Sequence, residues 1–420
     1  MNKKDTTLFF DIETSAIEDF TTLTGDITVH CLSIYNPATR RVVTFEEDSL
    51  RSGLAELNQA GMIVGHNVIG FDLPVLSKVY GWHPTTKVYD TLLMSRITSP
   101  SLMGDDVRDN AHANSVMNFA AEDLTPRELW GSHSLKAWGY RLGILKGEYA
   151  KQEGAWDTYN DEMRAYCEGD CMVTYELFKF IEEGNPSAVS RTLEHSFAHI
   201  IRLQELRGFA FDSEKADKLL GTLTVRRAEL RDELQKMFEP NVEKLKSPQC
   251  WELVHEGESL EAPTKGELKA LLKEKGIKQV LIKDAIKKGN KEKSTPFNPA
   301  SRQQIADRLT KLGWKPTQFH PCKKPKIDEA ILRAMKHPAA SKLLEYLLVT
   351  KRLGHLAEGK GGWVTCVKEG RIHGKVNTSG AVTGRCTHSN PNIAQVPAVR
   401  AEYGGQCREL FKAGEGYVLA

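Results

Sequence analysis

The chain of 420 residues predicts an α/β protein: a mixed α/β layer domain ending near residue 185, then a mainly helical stretch and a final region of short strand-like runs. Three observations carry this. Apolar strand-like runs come first, over residues 7–46. Strand–helix alternation follows, which is the pattern of a layered α/β domain. From Leu193 the apolar spacing becomes helical.

Leu8–Phe10 is an apolar run into Asp11, and Val29–Ile34 alternates. Asn36-Pro37-Ala38-Thr39 is a turn followed by Arg41–Phe45. Met62–Val64 reads as a short buried strand, and His66–Phe71 as a loop leading into a helix. Asp90 can cap a helix over Thr91–Ile97. Residues 101–130 are polar and read as an irregular surface excursion. One helix runs from Leu193 to Arg207 and stops at Gly208; Asp212 or Ser213 caps a longer one reaching about Phe238, before Pro240. Between Lys265 and Lys293 ten lysines oppose four acids, so the stretch 241–296 changes character. Inside it, Leu268, Leu271 and Leu272 share one helical face of Gly266–Lys275. Helical spacing returns at Ile305–Leu312 and Ala330–Leu348.

Composition narrows the function classes without choosing among them. Apolar content of 40% and charged content of 27% are ordinary for a globular protein. A formal charge of +2 gives no global basic signal, so a nucleic-acid surface has to come from local clustering. None of the eight cysteines forms a CxxC pair, which removes a zinc ribbon or a redox motif, and scattered thiols fit a reducing cytoplasm. No apolar run is long enough for a signal peptide or a bilayer span, so no membrane partner is expected.

Three separated acidic sites carry the chemistry. In Phe10-Asp11-Ile12-Glu13 an apolar strand ends in two carboxylates, and period two puts Asp11 and Glu13 on one side of it. Asn67-Val68-Ile69-Gly70-Phe71-Asp72 places an acid just after a strand and a loop. In Tyr166-Cys167-Glu168-Gly169-Asp170 the tyrosine and Asp170 are four apart and share a helix face, with Met163, Cys167, Val173 and Leu177 as the stripe that pins the helix to a sheet. Hard divalent cations prefer carboxylate oxygens, and two of them about 4 Å apart can clamp both oxygens of an in-line displacement. Asp11, Glu13 and Asp170 are assigned to an inner Mg²⁺ (or Mn²⁺), and Asp11 with Asp72 to an outer one. With an ordinary pKa of about 10, Tyr166 orients the attacking water rather than deprotonating it. Singly each motif has a bland reading, a solvated turn or a core tyrosine beside a surface acid.

Together and in this order, the three sites closely resemble the DnaQ-like 3′→5′ exonucleases that use four acids and a tyrosine, which implies a ribonuclease-H-like fold. A second resemblance lies further on. Gly380-Ala381-Val382-Thr383-Gly384-Arg385, Asn390-Pro391-Asn392-Ile393-Ala394-Gln395-Val396-Pro397 and Cys407-Arg408-Glu409-Leu410-Phe411 are similar to the block that opens the palm of family A DNA polymerases. The variant wording, with Gly131–Tyr149 and Glu205–Asp212, resembles the short-tailed lytic phage branch. The resemblance implies a ribonuclease-H-like exonuclease domain over 1–190, a helical thumb over 191–365 with an insert at about 241–296, and the start of a palm over 366–420. It implies DNA-binding roles for Arg385 in the minor groove, Gln395 on the template side and Arg408 on a phosphate, with Asn67 and Phe71 at the exonuclease strand.

The family's first polymerase aspartate would follow Glu415–Ala420, so the expectation is an incomplete palm. Either a second polypeptide supplies the rest, or the gene is interrupted or the chain cut there. In the phage branch an insert within the thumb recruits host thioredoxin, which makes a thioredoxin-like processivity factor a candidate partner; a basic flap on duplex DNA and a plain solvated excursion are the other readings. The resemblance implies DNA replication in the cytoplasm of an infected host bacterium. An RNA exonuclease and a non-catalytic primer–template binding subunit remain as alternatives.

Overall fold

The structure is a computed structural model that describes residues 6–15, 17, 23–116, 125–144, 149, 152–359, 361–414 and 416–417. The chain divides into two compact units, one of residues 1–213 with 360–420 and one of 214–359.

The first unit is built on a five-stranded sheet of order β3-β2-β1-β4-β5. Its strands are β1 (Thr7–Thr14), β2 (Val29–Asn36), β3 (Arg41–Glu46), β4 (Met62–Gly65) and β5 (Lys87–Asp90). The first three pair antiparallel, whereas β1–β4 and β4–β5 are parallel. The parallel half follows from the connections, because α1 (Leu50–Leu57) and α2 (Asp72–Tyr80) carry the chain back across the sheet. Leu8, Phe10 and Ile12 bury one face of β1 against Val68, Leu73 and Leu76. Phe9 buries the other face, against α6 (Asp161–Glu183), through Cys171, Val173, Leu177 and Ile181. Asn160 caps α6 by accepting from the Met163 N–H at 2.8 Å.

Residues 101–130 depart from the irregular excursion expected. After α3 (Thr91–Thr98), residues Leu102–Val116 form α4, and α5 (Leu135–Arg141) follows. The sequence conceals α4 because little of it is apolar. It is held by polar anchoring: buried Asp106 accepts from Arg141 Nε and Nη2, both at 2.8 Å, and from the Gly131 N–H at 2.6 Å. Helix α7 (Ala188–Arg207) begins five residues before the expected Leu193 and ends at Gly208, whose φ of +62° suits glycine. The three-residue strand β6 (Phe209–Phe211) then leads out of the unit.

The second unit opens with α8 (Ser213–Met237). Residues 241–296, expected as a basic excursion or flap with one helix, form a small sheet of order β8-β7-β9. Its strands are β7 (Asn241–His255), β8 (Glu258–Ala262) and β9 (Ile286–Thr295), and α9 (Lys265–Glu274) packs on it. Leu253, Leu260, Ala262, Leu268 and Leu272 make a core of its own, which lysine-rich composition hides because only every second strand residue is needed for it. Thr264 and Glu267 form a capping box at the start of α9. The run expected as one helix over Ala330–Leu348 is two, α11 (Glu329–Ala334) and α12 (Pro338–Leu356), after α10 (Arg302–Lys311). His337 and Pro338 are the reason: proline suits a first helical turn, and His337 caps it. Helices α8 and α12 are tied by Arg226, whose Nε and Nη2 donate to Glu345 at 2.6 and 3.0 Å.

The chain then returns to the first unit. Strands β10 (Val367–Lys368), β11 (Arg371–Ile372) and β14 (Phe411–Lys412) join β6 in a sheet of order β10-β11-β6-β14. A hairpin of β12 (Lys375–Asn377) and β13 (Thr387–Ser389) precedes α13 (Gly404–Arg408). By packing, α7 and these late strands therefore group with the first sheet; the three-way division at 190 and 365 is the expectation drawn from the resemblance. Of the run Glu415–Ala420, all but Gly416 and Tyr417 lie outside the described residues. Among the described residues no helix is long and apolar enough to cross a membrane.

Candidate metal centre

Alternation along β1 puts Asp11 and Glu13 on the Phe9 face, the face that α6 covers. Phe9 anchors the contact edge-on to Tyr175 and Phe178, with ring centroids at 5.1 and 5.4 Å. About one to three turns earlier on α6, Tyr166, Cys167 and Asp170 come level with the two strand acids. Ligand atoms of Asp11, Glu13 and Cys167 lie within 4.8 Å of one another. Glu13, Asp72 and Asp170 are buried.

Asp72 joins from the other core layer, at the first position of α2, where the helix N-terminus favours a negative group. Burial, then the neighbouring Asp90 and Asp170 carboxylates, push its pKa up to about 8, against backbone N–H bonds from Asp72 itself and from Ile12. Its Oδ1 is buried and accepts no hydrogen bond among the described residues. A buried carboxylate crowded by like charges and short of donors suits a divalent cation. The four acids therefore fit the Mg²⁺ or Mn²⁺ that the motifs imply.

Cys167 is not counted with them. Burial pushes its thiol well above the ordinary value, and Sγ–H donates to the Asp11 carbonyl at 3.4 Å. A neutral thiol beside four carboxylates leaves a hard cation to the oxygens. Glu168, one residue on, is turned away: it accepts from Thr44 Oγ1 at 2.8 Å and Arg164 Nε at 2.9 Å.

Burial, then Asp170, Glu13 and Asp11, raise the Tyr166 phenol well above 10. It is a hydrogen-bond donor at neutral pH, packed between Tyr149 and Trp156 at centroid distances of 5.9 and 6.0 Å. For the nuclease reading proposed below, Tyr166→Phe is expected to slow hydrolysis about 10²-fold while leaving the shape of the rate profile between about pH 6 and 9 unchanged. Single-turnover rates across that range are the check; a lost limb would make Tyr166 a base.

The Asp72 shift has a stability counterpart. Above pH about 4 the unfolded chain has released this proton while the folded protein keeps it, so in EDTA folding weakens as pH rises toward 8. Asp72→Asn removes that slope. It is expected to melt about 2–4 °C above wild type at pH 8 in EDTA, with no gain at pH 4. Millimolar Mg²⁺ should reverse the order, because only wild type keeps the full ligand set.

The DNA-binding candidates fall in two places. Asn67, at φ +61°, and Phe71 flank the turn into Asp72, with Phe71 packed against the sheet core. Arg385, Gln395 and Arg408 lie outside the acid cluster, on the segments around β13 and α13. Arg385 and Gln395 are exposed. Arg385 lends its carbonyl to the Ala381 N–H at 3.1 Å, closing the glycine turn. Arg408 Nε donates to the Pro397 carbonyl at 2.8 Å, so it braces the loop that follows Gln395. One residue that positions the site was read from the sequence only as a helix cap. Buried Asp90 accepts from the Asn67 and Leu92 N–H groups at 2.9 and 3.0 Å and from Ile69 at 3.1 Å, fixing the loop that aims Asp72. An aspartate at a strand end carries no further signal in one sequence.

Residues 267–420 match the model of DNA polymerase family A. The chain is 31% identical to the DNA-directed DNA polymerase of Escherichia phage T7, over 96% of this chain and 64% of that protein. It is 32% identical to that of Enterobacteria phage T3, over 86% and 58%. It thus spans less than two thirds of the length of either. The fold is similar to the POL domain of Pol1 from M. smegmatis, solved in complex with DNA primer-template and dNTP. The TM-score is 0.59 and the identity 15%, over 97% of this chain and 56% of that one. By these likenesses residues 267–420 carry a DNA polymerase family A domain, and the chain as a whole is similar to the two phage polymerases.

Proposed function

We propose that Asp11, Glu13, Asp72, Asp170 and Tyr166 form a 3′→5′ proofreading exonuclease on a ribonuclease-H-like layer, within a phage polymerase acting in DNA replication inside the infected cell. The observation that carries it is the convergence of two strand acids, a helix-start acid and a helix acid around one protonated phenol. When bound, divalent cations supply Lewis-acid stabilisation to the attacking and leaving oxygens of the displacement. The chain's own residues do the rest. The carboxylates hold the cations, Cys167 fixes the Asp11 backbone, and Asp90 holds the loop that presents Asp72. Tyr166 donates to the attacking water and orients it. Asn67 and Phe71 stand where the last bases of a frayed 3′ end would lie.

Arg385, Gln395 and Arg408 are proposed to contact primer–template, Arg385 and Gln395 through the minor groove and Arg408 through a phosphate beside the loop it braces. The proposed division is an exonuclease over 1–190, a thumb over 191–365 and the start of the palm over 366–420. DNA synthesis is proposed for the whole protein, to be tested by mixing this chain with a polypeptide carrying the remaining polymerase parts. Thioredoxin binding to the β7–β9 module is tested by co-elution.

The deciding assay is digestion of 3′-labelled single-stranded DNA and of the matched RNA. Stepwise shortening of DNA with Mg²⁺ or Mn²⁺, abolished by EDTA, is expected. Equal or faster digestion of RNA would favour an RNA exonuclease, and binding without digestion a non-catalytic subunit.

A further inference from the structure

A second cleft is lined by the Asn67–Phe71 loop, α3, α7 and β12, with a cavity of about 230 Å³. None of the four site acids except through the Asp72 loop belongs to it. Its walls include Asn67, Phe71, Asp90, Arg96, Arg202, Glu205 and the run Lys375–Thr378.

The balance of donors and acceptors in this cleft decides what it can hold. Both acids are already taken. Asp90 accepts three backbone N–H bonds, from Asn67, Ile69 and Leu92. Glu205 accepts from the Val376 N–H at 2.7 Å and from Arg202 Nη1 at 3.4 Å, which also accounts for one cation. Two cations are left over. Arg96 is half-buried, and burial lowers its pKa although Asp90 opposes this; no hydrogen bond or ion pair holds its guanidinium among the described residues. Lys375 is exposed at the rim and likewise makes no ion pair among them. Thr378 is only 3% exposed, and its Oγ1 has no hydrogen-bond partner among the described residues. A guanidinium brings five donors and no acceptor, and taking such a group out of water is unfavourable unless a partner arrives.

We propose that this cleft is a phosphate subsite for single-stranded nucleic acid, seating one phosphodiester between Arg96 and Lys375 with the Thr378 hydroxyl as a further donor. A phosphodiester brings charge and several acceptor oxygens, which is what the walls lack. The cavity has room for a phosphate and part of its sugar and is too small for a duplex. The Asn67–Phe71 loop is shared with the acid cluster, so a strand seated here continues toward Asp72. The direction of that strand rests on the exonuclease reading; the phosphate site does not.

The test uses the whole chain in EDTA, where no hydrolysis is needed, and a fluorescein-labelled single-stranded oligodeoxynucleotide followed by anisotropy. Arg96→Gln and Lys375→Gln are each expected to weaken binding about tenfold and to lower the slope of log affinity against log salt by about 0.7. Thr378→Val should weaken it by a few-fold with the slope unchanged. Lys375 is exposed, so its variant tests the site even if Arg96→Gln fails to fold. Wild-type affinity and slope in Lys375→Gln would overturn the proposal, as would absence of oligonucleotide binding by wild type. A free nucleotide monophosphate carries the same group. Variant-sensitive binding of 5′-dTMP without variant-sensitive binding of the oligonucleotide would overturn the strand assignment. Binding in EDTA with no digestion in Mg²⁺ would leave the phosphate site standing and remove the exonuclease.

Discussion

Replacing Asp11 and Glu13 together with alanine should abolish stepwise 3′→5′ shortening of labelled single-stranded DNA. The expected fall is at least about a thousandfold, since loss of metal stabilisation is worth several kcal/mol and each 1.36 kcal/mol is a factor of ten. The two residues sit on the face of β1 that meets Tyr166 and Asp170, so they leave the opposite core face, Leu8, Phe10 and Ile12, untouched. The loss should therefore come without unfolding. Removing two like charges from a crowded group relieves repulsion, so melting in EDTA should stay level or rise. A double variant that still shortens DNA in Mg²⁺ at near wild-type rate would dismiss the acid cluster as the nuclease. Equal inactivity of both proteins, each folded, would leave the cluster without a demonstrated reaction.

The second large effect is on stability. Asp106→Ala should destabilise the protein by about 3–5 kcal/mol, because breaking a buried ion pair leaves its partner's charge uncompensated. The side chains of Arg141 and Asp106 are 12% and 5% exposed, so solvent replaces little of what is lost. Arg141 would keep bonds to the Ser132 and Leu129 carbonyls, at 2.8 and 3.3 Å, but lose its counter-charge. Urea unfolding measures this. Replacing both, as Asp106→Leu with Arg141→Met, should cost less than the sum of the single changes, since neither charge is then stranded. Additive losses would mean that the two side chains act independently of each other. The prediction also accounts for α4: with Asp106 gone, the amide signals of Leu102–Val116 should exchange faster than those of α6.

Asp11 with Glu13 and Tyr166 with Asp170 were legible because strand and helix periods put each pair on one face without tertiary information. The helix starts at Thr91 and Ser213, and the stop at Gly208, were legible from capping chemistry. The same reading missed α4 and the β7–β9 sheet. Helix α4 is anchored by Asp106 to Arg141, 35 residues away, and local propensity carries no trace of that. The sheet draws its core from a few strand residues, Leu253, Leu260 and Ala262, set beside a lysine-rich third strand, so composition outweighed pattern. Nor could the sequence say that Asp90 fixes the loop before Asp72, or that β6 pairs with both β11 and β14 and so draws the late strands into the first unit.

By itself, then, the sequence determined on which face of its own element each of these acids lies, because that is a matter of period and spacing. Tertiary structure alone decided that two strand acids, a helix-start acid and a helix acid share one low-dielectric site. That sharing raises Tyr166 and Asp72 above their ordinary pKa values, since desolvation and like-charge crowding exist only once the elements have met. It also decided that Arg96 and Thr378, unremarkable in sequence, face a cleft in which both acids already have partners.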